Sequence, residues 1–311
     1  MTWDTQRDVF FQRLYELACE DKDIVLVVAD MAAPALDQFR RDLPGQFVNV
    51  GIAEQNAISI AAGLALEGKK AFAYAIASFM TLRCLEQIRV NAGIMDIPIH
   101  VVGMGTGYSY ALDGPTHHIV EDIAILRSLP NMTIYNTTDA VMAGQLPDIC
   151  IASTSATYSR LDKDIFPDVS AEGVASNGSV QELRPGTECV VLSTGIMSHW
   201  SRTAVDNLAR EGMDIGHYDI FRFPIDTDSL IKAVDGAKRI VTVEEHFLPG
   251  GMGSAVMEAL NDAGHMVPVK RLGLSHDQGY AYVYGGRDEI HRHYGIDGDT
   301  IQQDMKTFFS S

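Results

Sequence analysis

The chain has 311 residues, 46 % of them hydrophobic, a length and composition that read as two domains with sizeable cores. Its 41 acidic residues against 24 basic ones give a net charge of −17, and no Lys/Arg cluster offers a phosphate-backbone footprint, which argues against a nucleic-acid partner. Four scattered cysteines, Cys19, Cys84, Cys150 and Cys189, show no CxxC pair and no metal spacing, and three of them read as small core residues of a reducing compartment.

The N-terminal "MTWDTQRDVFFQRLYELACED" carries charges throughout and no apolar leader core. The longest apolar stretches are broken by "EGKK" and by Arg83, too short for a membrane span. A soluble, cytoplasmic protein is the expectation. In chain order, "IVLVVAD" (24–30), "KAFAYAI" (70–76), "IHVVGM" (99–104) and "MTIYNT" (132–137) read as buried strands. Between them, "AISIAAGLALEG", "MTLRCLEQIRVNAG" and "HIVEDIAILRSL" read as helices, the last on the Ile119, Ile123, Leu126 face. The pattern falters over 162–188, a polar Gly/Ser/Pro-rich stretch in which "SVQEL" can make a short strand. A second alternation follows: "CVVLSTG", "MSHWSRTAVDNLAREG", "GHYDIFRFP", "DTDSLIKAVDGA", "RIVTVEEH", "GSAVMEALNDAG" and "VPVKRLGL". The fold class is therefore α/β, with two doubly wound domains and mainly parallel sheets. The expected boundaries are 1–165, a linker over 166–188, and 189–311.

In such sheets ligands gather at the carboxyl ends of strands. Asp30, Glu54, the loop "GMGTGYSYALDGPTHH" (103–118) and Arg160 all fall there. The loop glycines are spaced G-x-G-x-G and do not run straight into a helix, which speaks against a dinucleotide site. "GGMGS" (250–254) reads as a close helix–strand approach. His117 and His118 are sequence neighbours without a suitably spaced third ligand, so a metal is the weaker reading. They are open to two others: a helix start capped by Thr116, or one histidine acting as acid/base in a cleft. Glu54 alone would be a first-turn residue complementing the helix dipole.

Taken together, "GIAEQN", "ASFMTLRCLEQIR" and "DGPTHHIVEDIAILRSLP" resemble the pyrimidine-binding domain of transketolase and of its relative deoxyxylulose-phosphate synthase. "VVLSTG" and "VEEHFLPGGMGSAV" resemble the C-terminal domain of the same enzymes. The likeness covers nearly the whole chain. It implies that Glu54 is the carboxylate that meets the aminopyrimidine ring of thiamine diphosphate, and that Phe79 stacks on that ring while Leu82 and Leu85 wall the pocket. Many relatives carry more aromatics at those two leucine positions. Asp30 then matches a cofactor-pocket acid. Asp113 and His117 match groups that grip substrate oxygens, His117 with a catalytic role beside Glu54. Arg160 matches a binder of substrate phosphate, a role its bidentate fork suits.

Two departures from the family matter. The Mg²⁺ and diphosphate site of the family is a GDG motif followed by an Asn in a separate domain, and neither "VDGAK" (233–237) nor "IDGDT" (296–300) has that form. The resemblance therefore implies the C-terminal subunit of a split transketolase. Its partner is an N-terminal subunit with the GDG…N domain, in a heterotetramer of two of each chain, and the metal ligands belong to the partner. Gly105 stands where many transketolases have a donor-contacting His, leaving Tyr108 or Tyr110 to replace it. The expected activity is two-carbon ketol transfer from an anionic ketose to an aldose. The alternatives are the β subunit of a 2-oxo acid decarboxylase, a non-catalytic transketolase-like subunit, and a generic α/β binding domain.

Overall fold

The computed structural model describes residues 5–32, 34–176 and 178–311. Its strands in chain order are β1 (Ile24–Val28), β2 (Phe47–Asn49), β3 (Lys70–Ile76), β4 (His100–Met104), β5 (Met132–Asn136), β6 (Ala156–Leu161), β7 (Val180–Arg184), β8 (Cys189–Ser193), β9 (Ile215–Ile220), β10 (Arg222–Phe223), β11 (Arg239–Phe247) and β12 (Val269–Leu274). They build a seven-stranded sheet, β10-β5-β6-β4-β3-β1-β2, and a five-stranded sheet, β12-β11-β8-β9-β7. Pairing is parallel except for β10 on β5 and β7 on β9, both at sheet edges. This is the expected α/β class with two mainly parallel sheets.

The strand sequences explain the burial. β1 reads IVLVV and β4 reads HVVGM, and every residue of both is buried. Parallel strands covered on both faces need such continuous apolar runs rather than alternation. The helix Glu54–Leu66 packs on β1 and β3 through Ala57, Ile58 and Ala61. Its small side chains allow the close approach that "AISIAAG" suggested. In the first sheet the order reverses between β1 and β3, which places a crevice outside their carboxyl ends.

Several expectations need correction. The run "HIVEDIAILRSL" is helical only over Asp122–Leu126. Ile119 is instead held extended, exchanging two backbone hydrogen bonds with Gly107, both 3.0 Å. Thr116 therefore caps no helix. "MTLRCLEQIRVNAG" is divided into Ala77–Thr81, Leu85–Ile88 and a π-helical turn, Arg89–Ile94, a form that recurs beside functional sites. "GHYDIFRFP" supplies β9 to the second sheet and then β10 to the first, so the two sheets share one chain segment. Cys84 and Cys150 are buried, but Cys19 is exposed in the last turn of its helix and is no core residue. No helix among the described residues is long and apolar enough to cross a membrane.

Candidate active site

The site grows from the carboxyl edge of the first sheet. Glu54 opens its helix and is only 4 % exposed. Its Oε2 accepts a hydrogen bond from Arg83 Nη1 at 2.7 Å, while Oε1 has no hydrogen-bond partner among the described residues. Arg83 also lies over the Phe79 ring, 4.2 Å from its centroid. The Phe79 ring meets the His117 ring edge-on at 5.0 Å. Ser78, beside Phe79, donates its hydroxyl to Thr116 O at 3.1 Å, which ties this helix to the loop bearing His117. A buried carboxylate, an aromatic face and an imidazole thus line one continuous wall. Arg83 is the link that motif reading passed over. Its signal was present in "FMTLR", four residues after Phe79.

The loop 105–118 carries the second wall. Gly105 has φ +87, and a Cβ there would lie 2.0 Å from Tyr110 Cε2, so the Tyr110 ring fills the space of a side chain at 105. Tyr110 is half-buried and lies 6.1 Å from the His117 ring. The exposed Lys163 sits above Tyr110, Nζ 4.6 Å from the ring centroid. Tyr108 is different: it is 1 % exposed and stacked on Tyr294, turned into the core. Of the two tyrosines named as replacements at Gly105, only Tyr110 borders the wall. Asp113 is exposed, at a turn closed by its N–H on Tyr110 O, 3.0 Å. His117 Nδ1 is hydrogen-bonded with Thr116 Oγ1 at 3.1 Å, and Nε2 has no partner among the described residues. His118 is 4 % exposed against the Tyr108 ring, its ring nitrogens have no hydrogen-bond partner among the described residues, and burial lowers its pKa. The adjacent histidines therefore face different surroundings, one at the wall and one in the core.

The other expected residues divide. Asp30 is exposed just past β1 with φ +50, its N–H donating to Asn49 Oδ1 at 3.3 Å. Leu82 and Leu85 are half-buried beyond Phe79, and Leu85 packs on the core. Arg160 is buried. It lies in β6, an interior strand with every residue buried, and its side chain is 5 % exposed. Its Nε donates to Asp122 Oδ2 at 2.8 Å, Nη1 to Asn136 Oδ1 at 3.0 Å and Nη2 to Ile119 O at 3.2 Å. These three contacts tie the guanidinium to the returning limb of the loop.

These surroundings suit an aminopyrimidine ring. Glu54 is largely buried, one oxygen is fixed by Arg83, and the other is left for a partner outside the described residues. Phe79 offers an aromatic surface beside it. The unpaired oxygen can accept a hydrogen bond from a ligand.

Residues 5–165 match the transketolase pyrimidine-binding domain family, and residues 178–301 match the transketolase C-terminal domain family. The chain is 35 % identical over 299 residues to the B subunit of the apulose-4-phosphate transketolase of Phocaeicola vulgatus, covering 95 % of this chain and 94 % of that one. It is 32 % identical over 272 residues to the 6-deoxy-6-sulfo-D-fructose transketolase subunit SqwH of a Clostridium species, covering 86 % and 84 %. Among solved structures it is similar to a split-gene transketolase described as an inactive beta4 tetramer, with TM-score 0.86, 28 % identity and 98 % of each chain covered.

Proposed function

The chain belongs to the transketolase family, and on that premise we propose that it is the C-terminal half of a two-chain, thiamine diphosphate-dependent transketolase. The reaction is transfer of a two-carbon ketol unit from an anionic ketose to an aldose. The observation that carries this reading is the buried Glu54 carboxylate, with one oxygen unpaired, joined through Arg83 to Phe79 and His117 at the sheet's switch point.

When bound, thiamine diphosphate supplies the carbon nucleophile that takes up the ketol unit. Glu54 shares a proton with the ring nitrogen of the aminopyrimidine, and Phe79 provides the stacking face. Leu82 and Leu85 wall the pocket, and Asp30 borders it. His117 and Asp113 hold hydroxyl and carbonyl oxygens of the sugar. His117 Nε2 is free to give or take a proton there, since Nδ1 is held by Thr116. Tyr110 stands in for the side chain that Gly105 lacks. Lys163 above it takes the grip on the anionic tail that Arg160 cannot make.

The Mg²⁺ and diphosphate fall to an N-terminal partner subunit, and we assign the pair to a cytoplasmic heterotetramer of two copies of each chain. The Phocaeicola vulgatus relative is itself one subunit of its transketolase, which supports a second chain here. The unit bearing the ring site is taken as 1–165; of the stretch 166–188 expected as a linker, β7 pairs with β9 in the second sheet and is assigned to the C-terminal unit with 189–311. The test is a ketol-transfer assay of the reconstituted two-chain enzyme on phosphorylated, sulfonated and uncharged ketoses with an aldose acceptor. Turnover of the charged ketoses supports the reading. A complex with bound cofactor that transfers no ketol unit from any of them overturns it.

A further inference from the structure

The described contacts of the wall of Glu54, Phe79 and His117 come from the N-terminal half of this chain, and its C-terminal half stands apart from them. It does reach the loop behind that wall. Arg287, 8 % exposed in its side chain, enters from the helix Arg287–Tyr294. Its guanidinium pairs with Glu245 Oε2 at 2.6 Å, Asp162 Oδ2 at 2.8 Å and Asp164 Oδ2 at 3.1 Å. It also donates to Ser109 Oγ at 3.3 Å and to Thr106 O at 3.4 Å. Glu245, from β11, accepts the Tyr108 N–H at 3.1 Å and is held on its other oxygen by Arg287 Nε and His291 Nε2. Burial opposes ionisation of Glu245, but Arg287 and His291 outweigh it and hold the carboxyl well below the usual carboxylate range. Gly107 has φ +53, and a Cβ there would lie 1.6 Å from Glu245 Oε2, so the carboxylate sits directly on the loop backbone.

These contacts fall on residues 106–109, the outgoing limb of the loop. The Gly107–Ile119 pairing passes them to the returning limb, just past His117. Residues 110–117, with Tyr110, Asp113 and His117, form the excursion between the two limbs. We infer that Arg287 and Glu245 are positioning residues of the C-terminal half, which set the conformation of the 105–118 loop and through it the grip on the sugar. The inference rests on the reading of that loop as substrate-facing. It gives the C-terminal half a part in substrate affinity without a contact to substrate.

The test uses the reconstituted two-chain enzyme. Arg287→Lys keeps the charge but loses the fork that spans Glu245, Ser109 and Thr106. Glu245→Gln keeps an acceptor for Tyr108 N–H and loses the charge, and Ser109→Ala is the mildest of the set should the other two fold poorly. The control is Arg127→Met, which removes another contact between the halves, the Arg127–Glu258 pair at 2.6 Å, made by residues outside the 105–118 loop. Donor KM, kcat, cofactor affinity and melting temperature are measured for each, with His117→Ala alongside. Misplacing a positioned group by about 1 Å costs up to roughly 100-fold. Arg287→Lys and Glu245→Gln should therefore raise donor KM by about 10-fold or more with cofactor affinity unchanged, while Arg127→Met lowers only the melting temperature. An unchanged KM in folded Arg287→Lys and Glu245→Gln, with His117→Ala impaired, overturns the positioning role and leaves the loop reading standing. An unchanged KM in His117→Ala as well removes the loop reading and this inference together.

Discussion

Arg160→Met should damage stability rather than substrate affinity. Asp122 has no exposed side-chain surface, and its Oδ1 has no hydrogen-bond partner among the described residues. Its Oδ2 is held by Arg160 Nε and by the Tyr158 hydroxyl, each at 2.8 Å. Removing the guanidinium leaves a buried carboxylate with one neutral donor. It also takes the Arg160 donor from Asn136 Oδ1 and one of two donors from Ile119 O, which keeps the Gly107 N–H. Breaking a buried pair from one side costs about 3–5 kcal/mol, far more than an exposed pair such as Arg13–Asp148, where about 1 kcal/mol is the ceiling. Urea unfolding followed by far-ultraviolet circular dichroism reads the loss. The double variant Arg160→Met with Asp122→Asn should recover much of it, because no charge is then left unpaired. Wild-type stability in Arg160→Met, with a KM rise confined to anionic sugars, would refute the buried-anchor assignment and return Arg160 to the substrate.

Glu54→Gln in the reconstituted enzyme should fold and bind partner normally while turnover drops roughly 10²–10⁴-fold, since Gln keeps the shape but cannot share the proton; near-normal turnover would reduce Glu54 to a helix-start residue. Lys163→Ala should raise KM about 10-fold for phosphorylated or sulfonated ketoses and leave uncharged ones nearly unchanged, which a steady-state substrate panel reads directly. His100, buried in β4 beside Thr157 Oγ1 and the Phe72 ring, has its pKa lowered by burial to about 4. Its folded value lies below the unfolded value near 6.5, so its contribution to stability is present above about pH 6.5 and is lost as pH falls towards 4. Denaturation of wild type and His100→Leu between pH 7.5 and 4.5 should show the difference shift against wild type by up to about 3 kcal/mol on acidification; a pH-independent difference would show that the ring charges freely in the fold.

The strands were legible where the sheet dictates composition. "IVLVV" and "HVV" have the continuous apolar character that only doubly covered parallel strands require. The helical reading of "HIVEDIAILRSL" failed because Ile119 spends its N–H and C=O on Gly107, a partner twelve residues back that periodicity cannot see. Glu54, Phe79 and His117 were grouped by the family resemblance of their motifs, and the structure does put Phe79 against His117. The fate of Arg160 was hidden for a different reason. A strand-end arginine and an interior-strand arginine look alike until the neighbours of β6 are known, and its partner Asp122 lies 38 residues away. The Arg287 cluster was invisible for the same cause, since Asp162 reaches it from just past β6 of one sheet and Glu245 from β11 of the other.

The central claim is that this chain holds one half of a cofactor site. Calorimetric titration of thiamine diphosphate and Mg²⁺ into the purified chain, into its purified N-terminal partner, and into an equimolar mixture tests it most directly. The account predicts weak or undetectable binding to this chain alone, because the charge-assisted contacts to metal and diphosphate belong to the partner, and tight stoichiometric binding to the mixture that Glu54→Gln weakens. Tight stoichiometric binding by this chain in the absence of a partner would contradict it.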